Sequence, residues 1–293
     1  MVGAVPRQGR PCERVFILNV FDVVSTELSL TNLLALCFIL GLSAIMSGLS
    51  GFGFSAIGAL CLCLLPPKLA VPLLMTLSAA NQLMSLRQLK ADMRPVGQWW
   101  PSGPAPYLLG GLIGVPLGLS ILQALPAVKL MATFGGFLVI YAAYSMLKPE
   151  GLRVRKSGWP AAALVGMAGG VVGGFTAFPG AMVVVWSGLR RLPKAESRSI
   201  VQPYILGLQL VSLAMLALQH PETFGPTYWA LLVITVPIVL PCTLLGVNLY
   251  KSLSDINFRR ITFMLLGTSG LGLLIKAAGA ITLVAATAAA VAR

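Results

Sequence analysis

Two glycine-rich stretches decide the fold: SGLSGFGFS at residues 47–55 and GGVVGGFTAFPG at residues 169–180. Each interrupts a long apolar segment and is followed by an apolar stretch too short to cross a bilayer. Residues 53–65 would form roughly 20 Å of helix against a hydrocarbon core of about 30 Å, and residues 180–190 are fewer. Glycine permits backbone conformations closed to other residues, and Pro179 suits the first turn of a helix. Both stretches therefore predict helical hairpins that enter a membrane, break and return to the same side.

The rest of the chain has the composition of a membrane protein. Of its 293 residues, 57% are hydrophobic and 10% are charged, whereas soluble domains carry about 25% charged residues. Long, nearly uncharged segments of roughly bilayer-spanning length recur throughout the sequence. They are residues 28–47, 69–86, 104–124, 127–147, 159–177, 200–218, 228–249 and 261–275. These segments lack the alternation of apolar and polar residues found in barrel strands, so the sequence predicts an all-α integral membrane protein.

The same features recur in the same order at an offset of 126 to 128 residues. Each half has a broken-helix hairpin, with its tip predicted near Gly51 or Gly174, followed by a Pro-Lys pair, an amide-bearing helix and further spans. Internal repetition of this kind is common in transporters. Each hairpin returns to its starting side and about three transmembrane helices follow it. The sequence therefore predicts two inverted-topology repeats.

This plan divides the chain into five parts. They are an N-terminal segment with a weak interfacial pattern (residues 1–28), a first repeat (29–147), a cytoplasmic linker (148–158), a second repeat (159–276) and a C-terminal helix (277–293).

The basic residues predict the orientation of the chain. Most of the 21 Lys and Arg residues fall on one side if residues 87–101, 148–158, 190–198 and 250–260 are cytoplasmic, as the positive-inside rule requires. The formal net charge of +13 does not indicate nucleic-acid binding, because the basic residues punctuate apolar segments instead of forming one face.

The titratable residues argue against catalysis. All eight carboxylates and the single histidine, His220, lie outside the predicted spans, although a proton carrier or cation ligand would be expected inside them. A catalytic triad or carboxylate pair is excluded for the same reason. Cys61 and Cys63 have no accompanying His cluster. The sequence therefore predicts no enzyme, no metal site and no cofactor.

What remains suits an anion. A helix broken at mid-membrane offers free N–H groups and the positive end of a helix dipole, and two inverted hairpins would direct two such ends at one point. The predicted substrate-binding residues lie in the breaks and on neighbouring helices: Ser50, Gly51, Gly53, Ser55, Asn81, Gln82, Gly174, Thr176, Gly180 and Gln209. All are uncharged, because no Arg or Lys is predicted at that depth. Two alternatives stay open: the hydroxyls bond their own backbone, and the glycines serve only helix packing.

The glycine-rich breaks, the pairs Pro67-Lys68 and Pro193-Lys194, the amide-bearing helices and the repetition of the whole resemble the sulfite exporter TauE/SafE family of bacterial membrane proteins. The resemblance covers residues 33–275. It implies a multi-pass transporter of the bacterial cytoplasmic (inner) membrane that moves sulfite, a sulfonate or a related organic acid. The first half departs from the family pattern, because Gly51-Phe-Gly53 replaces a denser glycine run, which leaves the substrate open.

The leading expectation is a secondary transporter that works by alternating access. A monovalent anion that leaves a negative interior gains about 2.3 kcal/mol per 100 mV, so export needs no coupling residue. Three alternatives remain: an anion channel, a sulfur-relay protein that uses Cys61, Cys63 or Cys242, and a purely structural subunit. The expected partners are the lipid bilayer and a small anionic substrate, and a homodimer is left open.

Overall fold

The computed structural model describes residues 28–88, 95–147, 158–250, 264 and 267–282. Within these ranges the chain is helical and contains no strand, which confirms the all-α prediction. The predictions for residues 1–27, 148–157 and 251–260 lie outside the described residues, as do parts of those for 87–101, 261–275 and 277–293.

Each half of the chain contains five described helices in the same order. The first half contains α1 (Leu30–Ser50), α2 (Phe54–Gly58), α3 (Pro67–Gln88), α4 (Ala105–Ala124) and α5 (Ala127–Leu147), with 3-10 turns at Ala59–Cys63 and Val96–Gln98. The second half contains α6 (Trp159–Thr176), α7 (Gly180–Leu189), α8 (Lys194–Gln219), α9 (Pro226–Tyr250) and α10 (267–282), with a 3-10 turn at Pro221–Phe224.

Seven of the described helices are long and apolar enough to cross a membrane, namely α1, α3, α4, α5, α6, α8 and α9. Large apolar side chains cover the outside of the bundle; Phe38 is 73% exposed and Ile113 is 65% exposed. In water such an apolar surface would promote aggregation, whereas in a membrane the lipid chains cover it. The protein is therefore a multi-pass membrane protein.

Both predicted hairpins are broken, as the sequence indicates. α1 ends at Ser50 and α2 begins at Phe54, while α6 ends at Thr176 and α7 begins at Gly180. The second break falls three residues after Gly174, which lies inside α6.

Small residues bring helices of the two halves into close contact. A Cβ atom added at Gly118 of α4 would lie 2.2 Å from the carbonyl oxygen of Val171 in α6. One added at Gly246 of α9 would lie 2.1 Å from the carbonyl oxygen of Ile45 in α1. The two carbonyl residues are 126 positions apart and the two glycines 128 positions apart. The same backbone contact is thus made twice, with the roles of the halves exchanged.

The helices α3 and α8 pack against each other between these two helix pairs. α3 also contacts α9, and α8 contacts α4, which is again a reciprocal arrangement. These two central helices carry the amides named in the sequence analysis, so the fold brings those amides to the middle of the bundle.

The ends of three segments predicted to be cytoplasmic meet at one end of the bundle. Pro101, Gly158 and Arg190 line a single cavity there, so the three segments share a side of the molecule. The predicted boundary between the second repeat and the C-terminal helix falls after Lys276. In the structure, α10 continues through this position without a break. The Lys276 ammonium group donates to the carbonyl oxygen of Cys63 and so links α10 to the first hairpin.

Candidate functional site

The first break is the three-residue link Gly51-Phe52-Gly53. Gly51 lies in the left-handed region at φ 78°, and its N–H donates to the carbonyl oxygen of Ser47 at 2.7 Å. Gly53 has φ 90° and precedes α2. A left-handed conformation costs an L-residue roughly 1–2 kcal/mol, so glycine is favoured at both positions.

The second break is the link Ala177-Phe178-Pro179. Ala177 has φ 57°, and its N–H donates to the carbonyl oxygen of Gly173 at 2.8 Å. The same hydrogen bond, from the left-handed residue to the carbonyl four residues earlier, thus occurs in both breaks at an offset of 126 residues. The left-handed residue is glycine in the first break and alanine in the second. A residue held in such a conformation persists only where its surroundings impose it.

A hydroxyl holds each break in the same way. The Oγ of Ser50 and the Oγ1 of Thr176 each donate to the carbonyl four residues earlier, at 2.8 and 2.6 Å. They also accept from the N–H of Phe52 and of Phe178, at 3.3 and 3.1 Å. For these two predicted site residues, the structure therefore shows the backbone role that the sequence left open as an alternative.

Each break also receives a glutamine from a central helix. The Nε2 of Gln82 in α3 donates to the carbonyl oxygen of Gly51 at 3.3 Å, and the Nε2 of Gln209 in α8 donates to that of Ala177 at 3.2 Å. A carbonyl only accepts, which fixes the orientation of both amides. Each Oε1 is buried and has no hydrogen-bond partner among the described residues. The structure thus brings both predicted amides to the breaks.

Asn81 has a bridging role. Its Nδ2 donates to the Oγ of Ser47 at 2.6 Å, and its Oδ1 accepts from the Oγ1 of Thr243 at 2.7 Å. This chain of hydrogen bonds links α1, α3 and α9. Ser55, in contrast, has a buried Oγ with no partner in the described part of the chain.

Two of the four predicted glycines make close helix contacts. A Cβ on Gly174 would lie 2.7 Å from the Cα of Gly118, and one on Gly180 would lie 2.6 Å from the Ile205 side chain. Gly53 has nothing closer than the Ser50 hydroxyl at 3.9 Å, so its requirement is the positive φ. Gly174 and Gly180 thus serve packing in this structure.

The expectation that no cation lies at the depth of the breaks is wrong. Arg198 is only 5% exposed, and its Nη2 donates to the carbonyl oxygen of Gly48 in α1 at 2.7 Å. The charges at residues 190–198 predict a loop there. However, α8 already begins at Lys194, so its second turn carries the guanidinium into the bundle.

Arg198 lies beside Gln202, which is not among the predicted site residues. A Cβ on Gly51 would lie 2.8 Å from Arg198 Nε and 3.2 Å from Gln202 Nε2. Gln202 is fully buried, and neither of its amide atoms has a hydrogen-bond partner among the described residues. The four-residue spacing between Arg198 and Gln202 puts both on one helix face, together with Gln209. That spacing is the signal that could have identified them.

The first break is therefore a polar cluster around a bare glycine, formed by Arg198, Gln202 and Gln82. The guanidinium and the N–H groups of the Gln202 amide donate hydrogen bonds and fit the oxygens of a small oxyanion, whereas Gln82 uses its Nε2 to hold the Gly51 carbonyl. Among the described residues, no group of His, Cys, Asp and Glu has the arrangement of a metal site.

These features define a multi-pass α-helical membrane protein whose interior polar side chains gather at two helix breaks. The family model described as Sulfite exporter TauE/SafE matches residues 33–273, which is more than half of the chain. The chain belongs to this family and is a membrane transporter. No curated protein and no solved structure gives a significant match.

Proposed function

We propose that this transporter exports a small sulfur-containing anion, such as sulfite, a sulfonate or a related organic acid, across the bacterial inner membrane. It works by alternating access and catalyses no reaction. The observation that carries the proposal is the buried Arg198 guanidinium beside Gly51, at a break in a membrane-embedded helix.

The energetics of burial support a role for Arg198 in binding. An ionisable side chain within the membrane is expensive, and such residues are usually functional. A guanidinium is planar and donates in pairs, which matches the oxygens of sulfite, sulfonate and carboxylate groups. Gln202 and Gln82 add amides from the two central helices, and Gly51 leaves the space beside them free of a Cβ.

The reciprocal contacts between the halves support alternating access. We propose that residues 29–147 and 159–276 are two inverted repeats, and that they exchange conformations around the breaks. The matched contacts Gly118–Val171 and Gly246–Ile45 provide two equivalent surfaces on which such a rearrangement would occur. Inverted repeats with binding residues at broken helices are a recurring transporter plan.

Export follows from the electrical gradient across a bacterial membrane. A monovalent anion gains about 2.3 kcal/mol per 100 mV on leaving the negative interior. The two carboxylates in the described part of the chain, Glu196 and Glu222, lie at the first turn of α8 and in the turn after it, so neither is placed as a proton carrier among the breaks.

The test is anion flux into liposomes that contain the purified protein. We expect saturable flux of sulfite or a sulfonate in the parental protein, and at least a tenfold loss in Arg198→Gln, because a charge-assisted hydrogen bond contributes about 1.5–3 kcal/mol. Arg191→Gln is the matched control, since this neighbouring arginine is exposed. Equal flux in both folded variants would contradict the proposal.

Two further measurements address the alternatives. Counterflow, in which internal anion accelerates uptake of labelled anion, is expected of a carrier and not of a channel. A Cys-free variant should keep full flux, because Cys61 is fully buried and the proposed binding cluster contains no thiol. Loss of flux in a folded Cys-free protein would favour the sulfur-relay alternative.

A further inference from the structure

A cavity with a cation in its wall lies away from the breaks, at the end of the bundle where three predicted cytoplasmic segments meet. Its volume is about 240 Å³. Its lining residues come from the segment before α4, from α4 and α6, and from the end of α7: Pro101, Ser102, Tyr107, Gly158, Trp159, Ala162 and Arg190. A water molecule occupies about 30 Å³ of liquid, so the space is ample for an anion of a few heavy atoms.

The cavity wall combines a cation, Arg190, with a buried hydroxyl, that of Tyr107. Tyr107 is 1% exposed, and its hydroxyl meets the geometric criteria for a hydrogen bond with no partner among the described residues.

These two groups suit a ligand with acceptor oxygens. A guanidinium only donates hydrogen bonds, and a phenol hydroxyl can donate as well. Leaving a buried donor unpaired is costly, and one molecule with several acceptor oxygens could bind the hydroxyl and the guanidinium together.

We propose that this cavity is a second binding site for a small oxyanion, with Arg190 and Tyr107 as its ligands. The site adjoins the C-terminal end of α7, whose N-terminal end forms part of the second break. The ten residues of α7 span about 15 Å at 1.5 Å per residue. Anions would therefore gather at one end of this short helix before they reach the breaks. The choice of an oxyanion rests on the proposed function, whereas the binding itself does not depend on transport.

The test measures binding and transport separately. Purified full-length protein is titrated calorimetrically with sulfite and with methanesulfonate, in the parental protein and in Arg198→Gln. We expect saturable binding to survive in Arg198→Gln, because this second site remains. Adding Arg190→Gln or Tyr107→Phe to Arg198→Gln should weaken that binding by about tenfold or more, as expected for lost hydrogen bonds to a charge. Adding Arg191→Gln, which changes a neighbouring cation that does not line the cavity, should leave it unchanged.

The outcomes separate this proposal from the proposed function. If Arg198→Gln abolishes all binding, or if neither Arg190→Gln nor Tyr107→Phe weakens it, the second site does not exist. Tyr107→Phe provides the independent variant should Arg190→Gln fail to fold. Parental protein that binds anions at this site but gives no flux in liposomes would overturn the transport function and leave the site standing.

Discussion

The two breaks share one backbone design but differ in the chemistry around them. In both, a left-handed residue closes the preceding helix, a hydroxyl accepts from the N–H two residues later, and a glutamine from a central helix donates to the left-handed residue's carbonyl. The left-handed residue is Gly51 in one and Ala177 in the other. Only the first break has an arginine against it among the described residues.

The two central helices differ at corresponding positions. Gln209 lies 127 positions after Gln82, and the positions 127 residues before Arg198 and Gln202 are Val71 and Met75 on α3, both of which are buried. At this offset α8 carries a guanidinium and an amide where α3 carries apolar side chains. The hydrogen bonds that hold a break therefore do not require the charged cluster.

The largest expected effect comes from the contacts that join the halves. Gly118→Val and Gly246→Val would each force a side chain into a backbone carbonyl about 2 Å away. We expect each to destabilise the protein by about 3 kcal/mol or to prevent its folding. Thermal unfolding in detergent measures the loss. Gly136→Val is the control, since nothing lies within 4 Å of a Cβ there. If only one of the two variants unfolded at a lower temperature, the two helix contacts would not be equivalent.

Substituting the left-handed residue of each break by that of the other compares the two breaks directly. Gly51→Ala should cost about 1–2 kcal/mol for the positive φ, and its Cβ would also displace Arg198 and Gln202, so flux should fall as well. Ala177→Gly relieves strain but adds freedom to the unfolded chain, roughly 0.4–1 kcal/mol, so its net change should stay within about 1 kcal/mol. Thermal unfolding and flux are measured for both. An equal loss of flux in the two variants would show that the breaks bind substrate equally.

The glutamine bridges should give a smaller and more symmetrical effect on stability. Gln82→Met and Gln209→Met each remove one hydrogen bond to a break, worth about 0.5–1.5 kcal/mol net. Flux should distinguish them, because Gln82 lies in the charged cluster, and we expect the larger loss in Gln82→Met. A larger loss of flux in Gln209→Met than in Gln82→Met would indicate that the anion binds nearer the second break than the first.

The smallest effect is expected far from both breaks, in the turn between α8 and α9. The Oε1 of Glu222 lies 3.0 Å from the Nδ1 of His220, and the Glu222 side chain is 71% exposed. A backbone hydrogen bond, and then His220, lower the pKa of Glu222. Its contribution to stability is therefore present above the ordinary pKa of the carboxyl group and is lost as pH falls through the lowered folded value.

Solvent screens such an exposed pair strongly. We therefore expect Glu222→Gln to have the same unfolding temperature as the parental protein at pH 7 and at pH 4, and the same flux at pH 7. A pH-dependent difference in flux between the two proteins would give this turn a role in transport.

The sequence alone was enough to predict the membrane class, the helices and both breaks. These depend on local properties: the charged fraction, the length of each apolar segment, and the glycines that favour a left-handed residue at Gly51. Burial of the glutamines was also predictable, because an amide in a membrane helix must find a partner. The second break lies near Gly174, as predicted, but its left-handed residue is Ala177, since a glycine such as Gly174 serves packing or a turn equally well.

Only the tertiary structure decided which residues form the candidate site. Arg198 follows several charged residues and reads locally as part of a loop, yet it donates to Gly48, 150 positions earlier in the chain. That contact depends on how α8 packs against α3 and the first hairpin, which no local pattern encodes. The structure likewise assigned Asn81 to a bridge between helices and gathered Tyr107 and Arg190 at one cavity. Local rules fix where a chain bends and which solvent it needs, whereas the meeting of distant side chains depends on the packing of all the helices together.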